Sequence, residues 1–360
     1  MSELLESPLK NLHESLGAKF GEFAGWNVPL VFSSSIEEHL SVRKDKGLFD
    51  VTHMGRIIIK GKDAADLLDY LLTKNVKKLA PGKILIPVLM LNEKAGIVDD
   101  ISLFMLKEKE YLIVCNAINR FKNIDWIKQN AKKHHFNVEI EDITEKTVML
   151  ALQGKDVSII EEKINIERGN FLQDVKLYDV NIKLISKSGW TGENGFEIIT
   201  DINEGKELWK KFINMGVKPC GIIARDTLRL EAGFLLYGNE INENIDPVKA
   251  RYWAFSLKKD YYIGKDILTE IIKRGVDEFR IGLVMKEKGP LPRKQNEICI
   301  DDVVVGCVTS GGYSPILDRG IAMGYIKSNY YYQGGSLFIK IRNNIYEAKI
   351  VEPPFHKYVY

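Results

Sequence analysis

The chain has 360 residues, 45% apolar and 28% charged, the profile of a globular protein whose length predicts two or three domains with substantial cores. Fifty-one basic and 49 acidic residues leave a formal charge of +2, too balanced for nucleic acid or an anionic membrane to be the main partner. No run approaches the roughly 20 apolar residues of a membrane span, and Met1 to Pro8 has no charged-then-apolar leader, so a cytoplasmic protein is expected.

Four widely spaced cysteines, Cys115, Cys220, Cys299 and Cys307, form no CxxC pair and read as small apolar residues of a reduced compartment, with no structural zinc. The adjacent His134 and His135 sit in a lysine-rich helix end and read as a solvated face rather than a metal site.

In chain order, F-A-G-W-N-V-P-L from Phe23 and G-L-F-D-V-T-H-M-G from Gly47 are aromatic-rich joints, with Asp50 and His53 expected in local hydrogen bonds. The segment from Arg56, R-I-I-I-K-G-K-D-A-A-D-L-L-D-Y-L-L, resembles V-M-L-A-L-Q-G-K-D-V-S-I-I-E-E-K-I from Val148. Each reads as a strand, Gly-Lys-Asp and an amphipathic helix. Likewise Y-L-I-V-C-N-A-I-N-R-F-K-N-I-D-W-I-K from Tyr111 parallels F-E-I-I-T-D-I-N-E-G-K-E-L-W-K-K-F from Phe196, a strand, Ile-Asn and a helix carrying Trp126 or Trp209. One unit is therefore predicted twice, with different loop lengths.

Three strand-like runs, Ile84 to Leu91, Ile97 to Leu106 and Tyr111 to Val114, follow one another without helical crossovers. A helix to His135 and a strand at Val138 to Ile140 come next. This order predicts antiparallel pairing and an α+β fold. After the helix D-I-L-T-E-I-I-K-R, the stretch from Phe279 onward has short runs with Gly and Pro turns, which predicts a small C-terminal β barrel or sandwich.

No GxGxxG opens a helix, and GxxxxGK[ST], HExxH and GxSxG are absent, so chemistry must come from scattered carboxylates, arginines and aromatics. The Gly-dense pieces G-E-N-G at Gly192 and T-S-G-G-Y-S-P at Thr309 read as hairpin or loop turns. Within S-G-W-T-G-E-N-G-F-E, Trp190 reads equally as a packing residue or a site residue, while Glu197 precedes the apolar pair Ile198-Ile199, where an unpaired carboxylate is unfavourable. In G-I-I-A-R-D-T-L-R-L-E-A-G, Asp226 or Thr227 is expected to cap a helix ending at Gly233; Arg225 and Arg229, at i,i+4 spacing, read as a solvated or salt-bridged face, or else Arg225 projects from the end of a buried strand as a ligand-gripping arginine.

The doublet Asp99-Asp100 stands in the β-prone run G-I-V-D-D-I-S-L-F-M, so its two side chains point to opposite faces. Asp100 shares its face with Ser102, which suits a ligand-facing wall. Asp99 is expected at the rim, serving the preceding turn.

Taken in order, S-P-L-K-N-L-H with F-A-G-W-N-V-P, then G-L-F-D-V-T-H-M-G, G-I-V-D-D, G-W-T-G-E-N-G-F-E, K-P-C-G-I-I-A-R-D-T-L-R-L-E-A-G with L-Y-G-N-E-I, and T-S-G-G-Y-S-P closely resemble the aminomethyltransferase, or T-protein, family of the glycine cleavage system. The resemblance implies transfer of the carbon of an aminomethyl group from the lipoyl arm of H-protein to tetrahydrofolate or a related reduced pterin, with release of ammonia. It implies a three-domain ring of two related antiparallel-sheet α+β lobes and a C-terminal barrel or jelly-roll-like domain around a folate channel. The expected lobes are 1–50 plus 141–275, 51–140 (ferredoxin-like) and 276–360. It assigns the catalytic carboxylate to Asp100 and folate contacts to Met54, Asn116, Trp190, Glu197, Arg225, Trp253 and Tyr360, with Tyr358 competing for the last position. No metal is implied. Trp190 stands where the resemblance expects a tyrosine, and K-I-L-I-P-V-L-M-L lacks the tyrosine expected before the Asp pair.

Two other readings of the same fold are a folate-dependent demethylase and an iron-sulfur assembly protein. The Lys-Gly-Cys expected of the latter is absent from E-A-G-F-L-L-Y-G. A sarcosine or dimethylglycine dehydrogenase would need a flavin fingerprint that is missing. Lys44, Lys46 and Lys74 are exposed-lysine candidates for docking an acidic H-protein, and a monomer is the default expectation.

Overall fold

The computed structural model describes residues 4–358, omitting the side chain of Tyr358. The chain divides into two compact units, Met1–Met90 with Asp99–Arg225 and Lys258–Tyr262, and Leu91–Val98 with Asp226–Leu257 and Ile263–Tyr360. The fold is α+β, as expected.

A five-stranded sheet runs Ile84–Leu91, Ile97–Lys107, Glu110–Cys115, Gly55–Lys60, Glu139–Asp142. A six-stranded sheet runs Phe171–Leu177, Val180–Ser186, Asn194–Asp201, Thr147–Gly154, Lys46–Asp50, Lys218–Pro219. The duplication is visible in this topology. In both sheets the two strands of the repeat pair directly and antiparallel, Gly55–Lys60 with Glu110–Cys115 and Thr147–Gly154 with Asn194–Asp201. The copies diverge after Gly-Lys-Asp. The first continues into the helix Ala64–Leu71, whereas the second makes only one turn, Ser158–Glu161, shorter than the pattern predicts.

Thr147–Gly154 is buried at every residue, as befits a central strand covered on both faces. Its period of two divides the work. Val148, Leu150 and Leu152 join Phe196, Ile198, Leu48, Leu208, Trp209 and Phe212 in one core, so the helix Ile202–Asn214 covers that face. Ala151 lies opposite Glu197 on one side and Phe49 on the other, and these project from the reverse face.

In the second unit a closed six-stranded barrel, Glu278–Met285, Glu297–Ile300, Val303–Ser314, Arg319–Lys327, Ser336–Ile341 and Asn344–Val351, surrounds Leu283, Met285, Ile298, Val308, Ala322 and Ile339. Closure leaves no free sheet edge. The T-S-G-G-Y-S segment is not a turn but part of the long strand Val303–Ser314, where a Cβ on Gly311 would lie 2.5 Å from the Pro292 carbonyl oxygen. Among the described residues, no helix is long and apolar enough to cross a membrane.

Candidate functional site

Asp99 and Asp100 lie in the strand Ile97–Lys107, and their environments differ sharply. Asp99 is fully buried on the same face as Ile101, Leu103 and Met105, while Asp100 is half-buried beside Ser102. The expected rim position of Asp99 is therefore a correction. The turn before it is held instead by Asn92, whose Oδ1 accepts from the Lys94 and Gly96 N–H groups.

Asp99 instead gathers three amides. Its Oδ1 accepts from Asn116 Nδ2 at 2.8 Å and Asn119 Nδ2 at 2.7 Å, and its Oδ2 from Asn123 Nδ2 at 2.6 Å. Asn116 Nδ2 also reaches Asp100 Oδ1 at 2.9 Å, so one amide spans both carboxylates. Burial, reinforced by the Asp100 charge, pushes the Asp99 carboxyl up to about 7, against the pull of the three amides. Asn119 and Asn123 went unnoticed in the sequence. Their only signal is the spacing 116, 119, 123 around a helix start, legible once Asp99 is known to be buried.

The second cluster is built on the reverse face of the six-stranded sheet. Glu197 Oε2 accepts from Ser188 Oγ at 2.6 Å, and Ser188 Oγ lies 2.8 Å from Ser186 Oγ. The loop carrying Ser188 and Trp190 is moulded on the buried Gln153 side chain, whose Nε2 donates to the Ser188 carbonyl and whose Oε1 accepts from Thr191 Oγ1. A Cβ on Gly189 would come within 1.8 Å of Gln153 and one on Gly195 within 2.1 Å. Gly189 and Gly195 of G-W-T-G-E-N-G are thus required by this close approach.

Arg225 faces the cluster from the first turn of the helix Ile222–Ala232, which starts before the expected Asp226 or Thr227 cap, and it does not stand at a strand end. Its guanidinium is buried, lies over the rings of Trp190 (5.4 Å) and Phe49 (5.9 Å), and stops 3.9 Å from Glu197 Oε1. That is too far for a hydrogen bond. Among the described residues Arg225 Nη1 is buried with no hydrogen-bond partner. Burial lowers the pKa of Arg225 and the Glu197 charge opposes this. Beside it His53 is buried, its ring 5.4 Å from Phe23, and burial with the Arg225 charge drops its pKa to about 4.

Met54 is half-buried in the turn after Asp50, its carbonyl accepting from Arg56. Asp50 makes one local hydrogen bond, accepting from the Thr52 N–H, and two to distant residues, Ser7 and His13, and these hold its carboxyl down at about 2 despite burial. Arg229 is not a second gripping arginine. It is consumed by Asp226, Glu240, Ser310 and the Phe234 carbonyl. In the other unit Trp253 is exposed, its ring 5.7 Å from Phe255. Tyr360 lies outside the described residues, as does the side chain of Tyr358. Of the three candidate docking lysines only Lys44 is exposed. Lys46 is paired with Asp45 and Asp156, and Lys74 is half-buried. No group of three or more metal-ligating side chains occurs among the described residues.

One family model, described as the GCVT N-terminal domain, matches residues 9–259, and a second, the glycine cleavage T-protein C-terminal barrel domain, matches residues 280–357. A probable aminomethyltransferase of Aeropyrum pernix is 40% identical, covering 96% of both chains. An aminomethyltransferase of Oceanobacillus iheyensis is 38% identical, covering 99% of both. The crystal structure of glycine cleavage system aminomethyltransferase T from Bartonella henselae superposes with a TM-score of 0.90 at 32% identity, covering 98% of each chain.

Proposed function

Because this chain belongs to the glycine cleavage T-protein family of aminomethyltransferases, we propose that it moves the one-carbon unit of an aminomethyl group from the dihydrolipoyl arm of H-protein to tetrahydrofolate, releasing ammonia and the reduced arm. The enzyme is a one-carbon transferase, and we place its action in the cytoplasm.

The observation that carries the folate assignment is the open pair Glu197 and Arg225. Arg225 Nη1 is buried without a hydrogen-bond partner among the described residues, and Nη2 of the same guanidinium stops 3.9 Å from Glu197 Oε1, an arrangement unfavourable as it stands. A pterin supplies what both lack, ring N–H donors for Glu197 Oε1 and an acceptor for Arg225. Trp190, already under Arg225, offers a flat face for the ring. The family resemblance adds Met54 as an apolar wall and Asn116 as a polar contact. Tetrahydrofolate, when bound, supplies the amine nitrogen that takes up the carbon.

Asp100 is assigned the electrostatic role. Its carboxylate is half-buried, is oriented by Asn116, and can favour positive charge at the carbon as ammonia leaves. The domain division into 1–50 plus 141–275, 51–140 and 276–360 is retained as part of this proposal. The test is an ammonia-release assay with H-protein-bound aminomethyl lipoate and reduced folate. Folate-dependent release is expected, and its absence would remove the assignment.

A further inference from the structure

Asp99 is the buried carboxylate that this reading leaves without a task. We propose that Asp99 is a positioning residue for Asp100, acting through the side-chain amide of Asn116. The inference rests on the catalytic role assigned to Asp100.

The geometry is that of a bracket. An amide NH2 has two hydrogens in one plane, and those of Asn116 are directed to Asp99 Oδ1 at 2.8 Å and to Asp100, whose Oδ1 lies at 2.9 Å and whose backbone carbonyl oxygen lies at 3.2 Å. Rotating the amide breaks both bonds together. Asp99 cannot follow such a rotation, because Asn119 also holds its Oδ1 and Asn123 holds its Oδ2. Those two asparagines are anchored in turn. Asn119 is the N-cap and Asn123 lies in the first turns of the helix Arg120–Lys133, and Asn119 makes no side-chain cap bond to that helix while its amide serves Asp99.

Strand parity separates the carboxylates onto opposite faces, so they cannot fix each other directly. Asn116 follows the last residue of the neighbouring strand Glu110–Cys115 and reaches past the edge to both.

A packing role explains Asp99 poorly. Its side-chain contacts are three amides, and among the described residues no cation touches it. Burying a carboxylate without a cation is unfavourable where an apolar side chain would pack at no such cost. What the carboxylate offers that an apolar group cannot is convergent acceptance from three donors, one of which it shares with Asp100.

The test compares wild type, Asp99→Asn, Asn116→Ala and the double variant in the ammonia-release assay, with Tm recorded for each. Asp99→Asn is expected to lower kcat roughly 10- to 100-fold, the scale of a misplaced reacting group, while KM for folate stays within about twofold. In the Asn116→Ala background the same change should lower kcat by less than about threefold, because the link is already cut. A kcat for Asp99→Asn equal to wild type, or effects that simply multiply, would overturn the proposal.

Should Asp99→Asn fail to fold, the wild-type protein still decides. Side-chain amide NMR of the free protein should show both Asn116 Nδ2 hydrogens slow to exchange with water. Exchange as fast as that of a solvent-exposed asparagine overturns the inference. Inactive wild type would instead sink the functional reading, which keeps the two failures apart.

Discussion

The Asp99–Asp100 region and the Glu197–Arg225 region sit on related sheets and treat polar groups in opposite ways. Around Asp99 both carboxylate oxygens have donors and the Asn116 amide is committed twice. Around Arg225, among the described residues, Nη1 is buried without a hydrogen-bond partner and Nη2 stops 3.9 Å from Glu197 Oε1. The first region is complete before any ligand arrives, as suits a group that must be aimed. The second is unsatisfied until a ligand arrives, as suits a group that must grip.

The largest expected effect tests the first region. Asp100→Asn should lower turnover by roughly 100-fold or more while folate affinity, read by calorimetry, stays near wild type. Loss of folate affinity in that variant would merge the two regions into one binding site.

Glu197→Ala should do the reverse, weakening folate binding by about 1–3 kcal/mol because ring donors are left unpaired. Unchanged affinity would remove Glu197 from the site.

The regions should also answer pH with opposite signs. Asp99 binds its proton more tightly folded (about 7) than unfolded (3.8), so its contribution to stability is greatest below about pH 4 and is lost as pH rises to about 7. His53 holds its proton less tightly folded (about 4) than unfolded (6.5), so its contribution is present above about pH 6.5 and is lost as pH falls to about 4. Each amounts to a few kcal/mol at most. Urea unfolding of wild type, Asp99→Asn and His53→Gln from pH 4.5 to 7.5 reads this directly. The advantage of wild type over the first variant should shrink with pH, and that over the second should grow.

The smallest effect is at Trp190. Exchange for Tyr keeps a flat face over Arg225 and should change folate affinity by less than about threefold, whereas Trp190→Ala should cost more.

Much of this was legible in the residues. The strand runs Ile84–Leu91 and Ile97–Leu106 match their observed bounds almost to the residue, because short apolar, β-prone runs bounded by turn residues leave a local signature. The repeat was legible because Gly-Lys-Asp and Ile-Asn recur beside it, and both copies build the same antiparallel pairing. Arg225 was misread as a strand end because Gly221 to Ala224 is apolar and short, a pattern that strand and helix share. The T-S-G-G-Y-S segment was misread as a turn because glycine marks turns and close approaches alike, and only the Pro292 carbonyl distinguishes them.

The sequence by itself determined the fold class, the duplication, a C-terminal β domain that is a barrel or a sandwich, and the separation of Asp99 from Asp100 onto opposite faces. These follow from local periodicity and from motifs that recur along the chain. Which face was closed, and by what, was decided only in three dimensions. Asn116, Asn119 and Asn123 converge on Asp99 from a neighbouring strand end and a helix start. Arg225 comes to Glu197 from a separate helix. Hydrogen bonds between distant segments depend on where chain folding brings donors and acceptors, and no period in the sequence encodes that distance.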